Sequence, residues 1–191
     1  MLAQLNTVFS RMGAPLKLQL HLDERPVSRE LKGYMEALAE LTDKLTIEMG
    51  DGREEAPCVK VLRSDGSWSG LAFHGVPGGH EFTSFVLGLY NAAGPGQPLD
   101  ADIRQAIAGL GKHDMKVLVS LSCTMCPDLV TAAQRIAAEN GNITAQVYDL
   151  NHFPELRDKY NVMSVPCLVI DDGKTVTFGK KNIRQLLDVL K

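Results

Sequence analysis

Residues 115–126 read Met115-Lys116-Val117-Leu118-Val119-Ser120-Leu121-Ser122-Cys123-Thr124-Met125-Cys126. The first seven form an apolar run, expected as a β-strand. The residues that follow, Leu129, Val130, Ala133, Ile136 and Ala137, recur on one face of a helix. Two cysteines with two residues between them, at a strand-to-helix turn, have the geometry of a dithiol redox centre. The spacing lets both sulfurs meet in a small disulfide ring. The partial positive charge of the helix N-terminus stabilises a thiolate on Cys123. That thiolate can attack a disulfide, and Cys126 can then resolve the mixed disulfide.

Other readings of the pair ask for features the sequence lacks. A zinc site needs two more ligands at comparable spacing. Cys58 and Cys167 are isolated, and His21, His74, His80, His113 and His152 form no pair at ligand spacing. No metal is therefore expected. A structural disulfide suits a secreted, cysteine-dense scaffold, whereas this chain has four cysteines in 191 residues. A buried pair of small apolar thiols is the remaining inert alternative.

Composition narrows the class further. The hydrophobic fraction of 45% and charged fraction of 23% are those of a globular protein, with length enough for a sizeable core or two small domains. A net charge of -3 gives no reason to expect nucleic acid or an anionic membrane as partner. No apolar run approaches membrane-spanning length. Met1-Leu2-Ala3-Gln4-Leu5 lacks the basic start and apolar stretch of a signal peptide. The expected setting is a reducing cytoplasm, where a Cys-x-x-Cys pair is more often catalytic than structural.

Outward from the pair, the chain repeats itself. Leu16-Lys17-Leu18-Gln19-Leu20-His21-Leu22 resembles residues 115–121, and Ala56-Pro57-Cys58-Val59-Lys60-Val61-Leu62 resembles Val165-Pro166-Cys167-Leu168-Val169-Ile170. A turn follows each of the latter, Ser64-Asp65-Gly66 and Asp171-Asp172-Gly173. Asn91-Ala92-Ala93-Gly94-Pro95-Gly96-Gln97-Pro98 reads as the linker, which divides the chain into residues 1–95 and 96–191.

In the second half the pattern predicts a helix near Ala101–Leu110, a strand to Leu121, and a helix ending at a left-handed Asn140-Gly141 cap. A strand Ile143–Tyr148, a short helix Phe153–Tyr160 with Pro154 in its first turn, a hairpin from Cys167 to Phe178 and a helix Asn182–Leu190 complete it. The first half predicts a helix from Met1, a strand to Leu22, a helix to about Asp43, a strand Leu45–Met49, a hairpin Pro57–Phe73 and a helix His80–Tyr90. A β-α-β unit followed by a hairpin and helix gives an α/β fold, a central mixed sheet flanked by helices.

This order resembles the thioredoxin fold, once in each half, so two fused thioredoxin-like folds are expected. The resemblance implies that Pro166 is a cis-proline facing the redox pair. It also implies that Pro57 keeps the same position in a half without the redox pair, where Asp23-Glu24-Arg25-Pro26-Val27 stands for Ser122-Cys123-Thr124-Met125-Cys126. Cys58 and Cys167, which follow the prolines, are expected to be buried. Trp68 is expected in the core or between the halves, and Lys180-Lys181 at a solvated end.

A narrower resemblance rests on Gly79-His80-Glu81-Phe82-Thr83-Ser84-Phe85-Val86-Leu87, with Ser120-Leu121-Ser122-Cys123 and Cys126-Pro127-Asp128. These segments resemble the N-terminal domain of the alkyl hydroperoxide reductase flavoprotein, a tandem of two thioredoxin folds of which only the second is redox-active. The resemblance implies an electron relay: NAD(P)H to flavin, flavin to a dithiol in a thioredoxin-reductase-like body, then to this domain, then to a peroxiredoxin. It makes Cys123 the attacking and Cys126 the resolving cysteine. Glu81 matches a glutamate that approaches the redox pair, although an acid at a helix start also suits the macrodipole.

Thr124-Met125 stand where the family often has His-Asn. Loss of the imidazole leaves the thiolate less stabilised, so a couple nearer thioredoxin than a strong oxidant is expected. Thr124 and Met125 also offer a small contact surface beside Cys123. With no Gly-x-Gly-x-x-Gly after a strand, flavin and nicotinamide are expected on a partner or a missing domain. Two other functions fit the residues less fully. A general protein disulfide reductase or isomerase of tandem type usually carries a redox pair in both halves. A docking module would make the cysteines incidental.

Overall fold

The structure is a computed structural model that describes residues 2–191. Met1, at which the first helix is expected to begin, lies outside them. The first half runs α1 (Leu2–Arg11), β1 (Leu16–His21), α2 (Pro26–Ala39), β2 (Leu45–Met49), β3 (Cys58–Arg63), β4 (Trp68–His74) and α3 (Phe82–Ala93). The second runs α4 (Ala101–Ala108), β5 (His113–Val119), α5 (Cys126–Glu139), β6 (Ile143–Asp149), α6 (Glu155–Lys159), β7 (Cys167–Ile170), β8 (Thr175–Phe178) and α7 (Ile183–Leu190). The order of elements repeats as the sequence predicts, apart from the additional short helix α6.

All eight strands share one mixed sheet, in the order β2-β1-β3-β4-β6-β5-β7-β8. Each half supplies four strands in the same arrangement: a parallel pair, then two antiparallel neighbours. The join is a parallel pairing of β4 with β6, from Leu71 opposite Ala145 to His74 opposite Tyr148. The sequence pattern shows two sheets and does not reveal this join. Its physical reason lies in β4, where Leu71, Ala72 and Phe73 are buried. Left as a free edge, such a strand would invite pairing with other chains.

Helix α5 starts with Pro127 in its first turn and Asp128 beside the positive end of the dipole. Leu129, Val130, Ala133, Ile136 and Ala137 are all buried, as their spacing predicts. Helix α2 begins with Pro26 and buries Val27, Leu31, Met35 and Leu38. Side chains of the size of Leu31 and Met35, fully buried, each stabilise the fold by about 2 kcal/mol. The helical layers also meet across the halves. Gln134 of α5 donates to Ser84 O of α3 at 2.9 Å, and Arg63 Nη2 donates to Ala138 O at 3.0 Å.

Some expectations are corrected. Asn140 is extended (φ -130, ψ 114) and Gly141 has no positive φ, so α5 does not end in a left-handed cap. The Asn140 side chain turns instead to the end of α4, donating to Ile107 O at 2.7 Å and Leu110 O at 3.3 Å. Trp68 is half-buried rather than core, with Nε1 donating to Leu71 O at 2.8 Å and Lys60 Nζ 5.1 Å from the ring centroid. The strand after α4 ends at Val119, leaving Leu121 in the turn. Among the described residues no helix is long and apolar enough to cross a membrane.

Candidate dithiol site

The turn between β5 and α5 spans residues 120–125 and is fixed at both ends. Leu150 N donates to Val119 O at 3.0 Å, and Cys123 N donates to Ser120 O at 3.0 Å. Cys126 is the first residue of α5 and is fully buried, while Cys123 is half-buried. Both are free thiols. Burial pushes the Cys126 thiol far above the ordinary range. A hydrogen bond with the Cys123 sulfur and the charge of Glu81 push in the same direction, against a backbone hydrogen bond at Ser120.

Cys123 Sγ lies 4.0 Å from Val165 O, the carbonyl that precedes Pro166. The Val165–Pro166 peptide is cis, as the sequence resemblance implies. Thr124 and Met125 are exposed beside Cys123, Met125 to 51%. Met163, two residues before Val165, is 79% exposed. Cys167 is fully buried behind the proline, and burial raises its thiol to about 11.

Glu81 reaches this site from the other half. After β4, Gly79 N-terminal to α3 has φ +53, and a Cβ there would sit 2.8 Å from Leu121 O. The glycine permits close approach of backbone to backbone. His80 N then donates to Leu121 O at 3.0 Å, which docks the segment on the redox turn. Glu81 is fully buried. Its Oε1 accepts from Ser84 Oγ at 2.6 Å, and its Oε2 has no hydrogen-bond partner among the described residues. Burial pushes the carboxyl up to about 7, against the Ser84 hydrogen bond. Glu81 is the residue that precedes α3, and its charge is among the causes that raise the Cys126 thiol.

The first half shows what fills the same place without thiols. His21 of β1 stands opposite Cys58, as Leu118 of β5 stands opposite Cys167. From these points the stretch to the helix is shorter in the first half, residues 22–25 against 119–125. The helix starts set Pro26 of α2 against Cys126 of α5, one residue away from the pairing of Asp23–Val27 with Ser122–Cys126. Ala56–Pro57 is also cis. Here Ala56 O accepts from Arg25 Nη2 at 2.8 Å. Arg25 does not stand out in the sequence, because it acts through tertiary contacts rather than a motif.

Fold and site together define a thioredoxin-fold domain of the disulfide oxidoreductase class. The thioredoxin domain family matches residues 113–188, the half that carries the dithiol. Over its full length the chain superposes on the NTD_N/C domain of alkylhydroperoxide reductase AhpF from Enterococcus faecalis with a TM-score of 0.94. The two are 35% identical, with 98% of that domain covered. The corresponding alkyl hydroperoxide reductase of Pseudomonas aeruginosa, also of the AhpF type, is 34% identical over 96% of this chain and 35% of its own length. A protein disulfide oxidoreductase from Aeropyrum pernix, 20% identical, shares the fold with a TM-score of 0.84, over 99% of this chain and 90% of its own. The chain belongs to the AhpF family of alkyl hydroperoxide reductases and corresponds to its N-terminal domain. It spans about a third of the length of the curated relatives it matches.

Proposed function

We propose that the chain carries electron pairs from a flavoprotein reductase to a peroxiredoxin-type disulfide acceptor through Cys123 and Cys126. The observation that carries this reading is the pairing of a half-buried Cys123 with a fully buried Cys126 beside Glu81. The Cys123 thiolate attacks the acceptor disulfide, forming one S–S bond as the acceptor's own breaks. Cys126 then attacks the Cys123 sulfur, and the acceptor leaves as a dithiol, reduced by two electrons. A thiol as buried as Cys126 does not ionise unaided near neutral pH. Glu81 is the base for it, with a free Oε2 and an affinity for protons matched to that pH. In the reverse direction the protonated Glu81 returns the proton as the flavoprotein reduces the disulfide.

In this reading residues 96–191 are the redox-active unit and residues 1–95 the unit that presents Glu81. Pro166, Thr124 and Met125 form the contact edge around Cys123. Flavin and NAD(P)H belong to the reductase, in keeping with the two thirds of the relatives' length that this chain does not span. The setting is the reducing cytoplasm. A redox titration of Cys123 and Cys126 against dithiothreitol or glutathione, read by alkylation and mass spectrometry, tests the reading. A reversible two-electron couple at or below the glutathione poise is expected. A pair that never oxidises overturns it.

A further inference from the structure

The carbonyl before the proline has opposite fates in the two halves. Val165 O faces the Cys123 thiol, whereas Ala56 O is taken by the Arg25 guanidinium. The same guanidinium crosses to the other half, where Nη1 donates to His152 O at 3.2 Å. Its Nε pairs with Asp23 Oδ2 at 2.9 Å, and its Cζ lies 5.9 Å from the centroid of the Phe153 ring. Asp23 is itself fixed, with Oδ1 accepting from Ser28 Oγ at 2.7 Å and Arg25 N at 3.1 Å.

From Arg25 two arms lead to the redox turn. On one side Pro57 O, next to Ala56, accepts from Gly75 N at 2.9 Å, and the segment from Gly75 ends where His80 N meets Leu121 O. On the other side His152 N donates to Asp149 O at 3.0 Å, and Leu150 N donates to Val119 O. Val119 and Leu121 flank Ser120, whose carbonyl holds Cys123 N. The contacts form a closed circuit through both halves and around the redox turn. Its other links are main chain to main chain, and Arg25 is the side chain that closes it.

We infer that Arg25 is a positioning residue that holds the segment 75–81, and with it Glu81, against the redox turn. This inference rests on the proposed role of Glu81. The segment contains Gly75, Gly78 and Gly79, which lose more backbone freedom on ordering than other residues and so depend on restraint from outside. Arginine suits the task because its planar fork can meet two carbonyls and a carboxylate together. The titratable groups around the segment are few. The charge of Glu81 bears on Cys126 of α5, and His80 adjoins Glu81 in the chain. Tyr34 of α2 packs on Gly78 and Phe82, while Asp149 faces Gly75, with His152 Nε2 3.9 Å from its Oδ2.

Arg25→Met keeps the apolar stem and removes the fork; Arg25→Lys keeps the charge. Each is compared with the unaltered 191-residue chain, alone and combined with Glu81→Gln. The readouts are the pH profile of disulfide reduction and the amide hydrogen exchange of His80 and Glu81. Arg25→Met is expected to move the inflection near pH 7 toward acid by about half a unit, a threefold change in the proton equilibrium. Exchange at His80 and Glu81 should speed up, with Arg25→Lys between Met and wild type. In the Glu81→Gln background, Arg25→Met should leave the profile unchanged. If Glu81→Gln shifts the profile but Arg25→Met does not, the positioning role is wrong and the role of Glu81 stands. If Glu81→Gln leaves the profile in place, the role of Glu81 falls, and the positioning role with it. Loss of stability with an unmoved profile and unmoved exchange would make Arg25 merely structural.

Discussion

The two halves share a strand order, a helix order and a cis-proline at the same place, yet only one carries a Cys-x-x-Cys pair. The difference is concentrated in one turn. In the second half residues 120–125 give Cys123 room to stand over a buried Cys126. In the first half the shorter turn, residues 22–25, carries Arg25 into the same neighbourhood. Core residues build the sheet in both halves, while a few turn residues decide which half does chemistry. The half without the pair still reaches the redox turn, because His80 N of its segment 75–81 donates to Leu121 O.

The largest test of this contrast compares cysteines across the halves. Cys123→Ser should lower disulfide reduction by about a thousandfold or more, since it removes the nucleophile. Cys126→Ser should leave a mixed disulfide with the acceptor, seen as a covalent adduct by mass spectrometry. Cys58→Ala, in the half without the pair, should leave the reduction rate unchanged while lowering stability by about 1 kcal/mol. A reduction rate that followed Cys58 would break the division between the halves.

Next in size is Glu81→Gln, which asks whether the first half contributes to the chemistry. The folded chain holds the Glu81 proton up to about pH 7, against an ordinary value of 4.5. The stability it contributes is therefore complete below about pH 4.5 and is lost as pH rises to about 7. The loss amounts to about 3 kcal/mol. Denaturant melts between pH 4.5 and 8 should show this decline in the wild type and a flatter curve in Glu81→Gln. Reduction near pH 7 should fall about a hundredfold, the usual effect of removing a general base. A melt with the same slope in both proteins would show that Glu81 is not the buried proton.

How far the sequence anticipates this arrangement depends on the range of each contact. The strand-turn-helix around Cys123 is legible because it rests on local spacing, and both proline positions because the order of elements resembles the thioredoxin fold. The burial of Cys58 and Cys167 follows from the strand pattern. The single sheet is not legible, since the β4–β6 pairing depends on two edges finding each other. Arg25 is hidden for the same reason: its partner His152 is distant in the chain, and an arginine near a helix start carries no signal of its own. Asn140-Gly141 reads as a local cap because those residues favour one. The Asn140 amide instead serves another helix, an outcome only tertiary packing could decide.

A smaller comparison isolates the seam between the halves. Gly75 N donates to Pro57 O and Gly179 N to Pro166 O, both at 2.9 Å. Both glycines have positive φ, 124° and 95°. A Cβ on Gly75 would lie 3.0 Å from Asp149 Cβ, whereas a Cβ on Gly179 would meet nothing within 4 Å. Gly179→Ala should cost about 2 kcal/mol from backbone strain alone. Gly75→Ala should cost about 3 kcal/mol, the excess reporting crowding at the seam. Equal losses in urea melts would mean that the seam yields freely.

The smallest effect concerns how each half caps its first helix. In the first half Lys44 Nζ donates to Phe9 O at 2.8 Å, Met12 O at 2.9 Å and Ser10 O at 3.3 Å. In the second half the neutral Asn140 amide does the same for Ile107 O and Leu110 O, from the same loop position between helix and strand. Removing the buried amide strands carbonyls that water does not reach, so Asn140→Ala should cost about 2 kcal/mol at any salt concentration. Lys44 is partly exposed and works by charge against the helix dipole. Lys44→Met should therefore cost about 1 kcal/mol at low salt, and less at 1 M salt, where the Debye length falls to about 3 Å. Melting both variants at two salt concentrations separates the mechanisms. A salt-independent Lys44→Met would place its contribution in hydrogen bonding rather than charge, and the two caps would then be one device built twice.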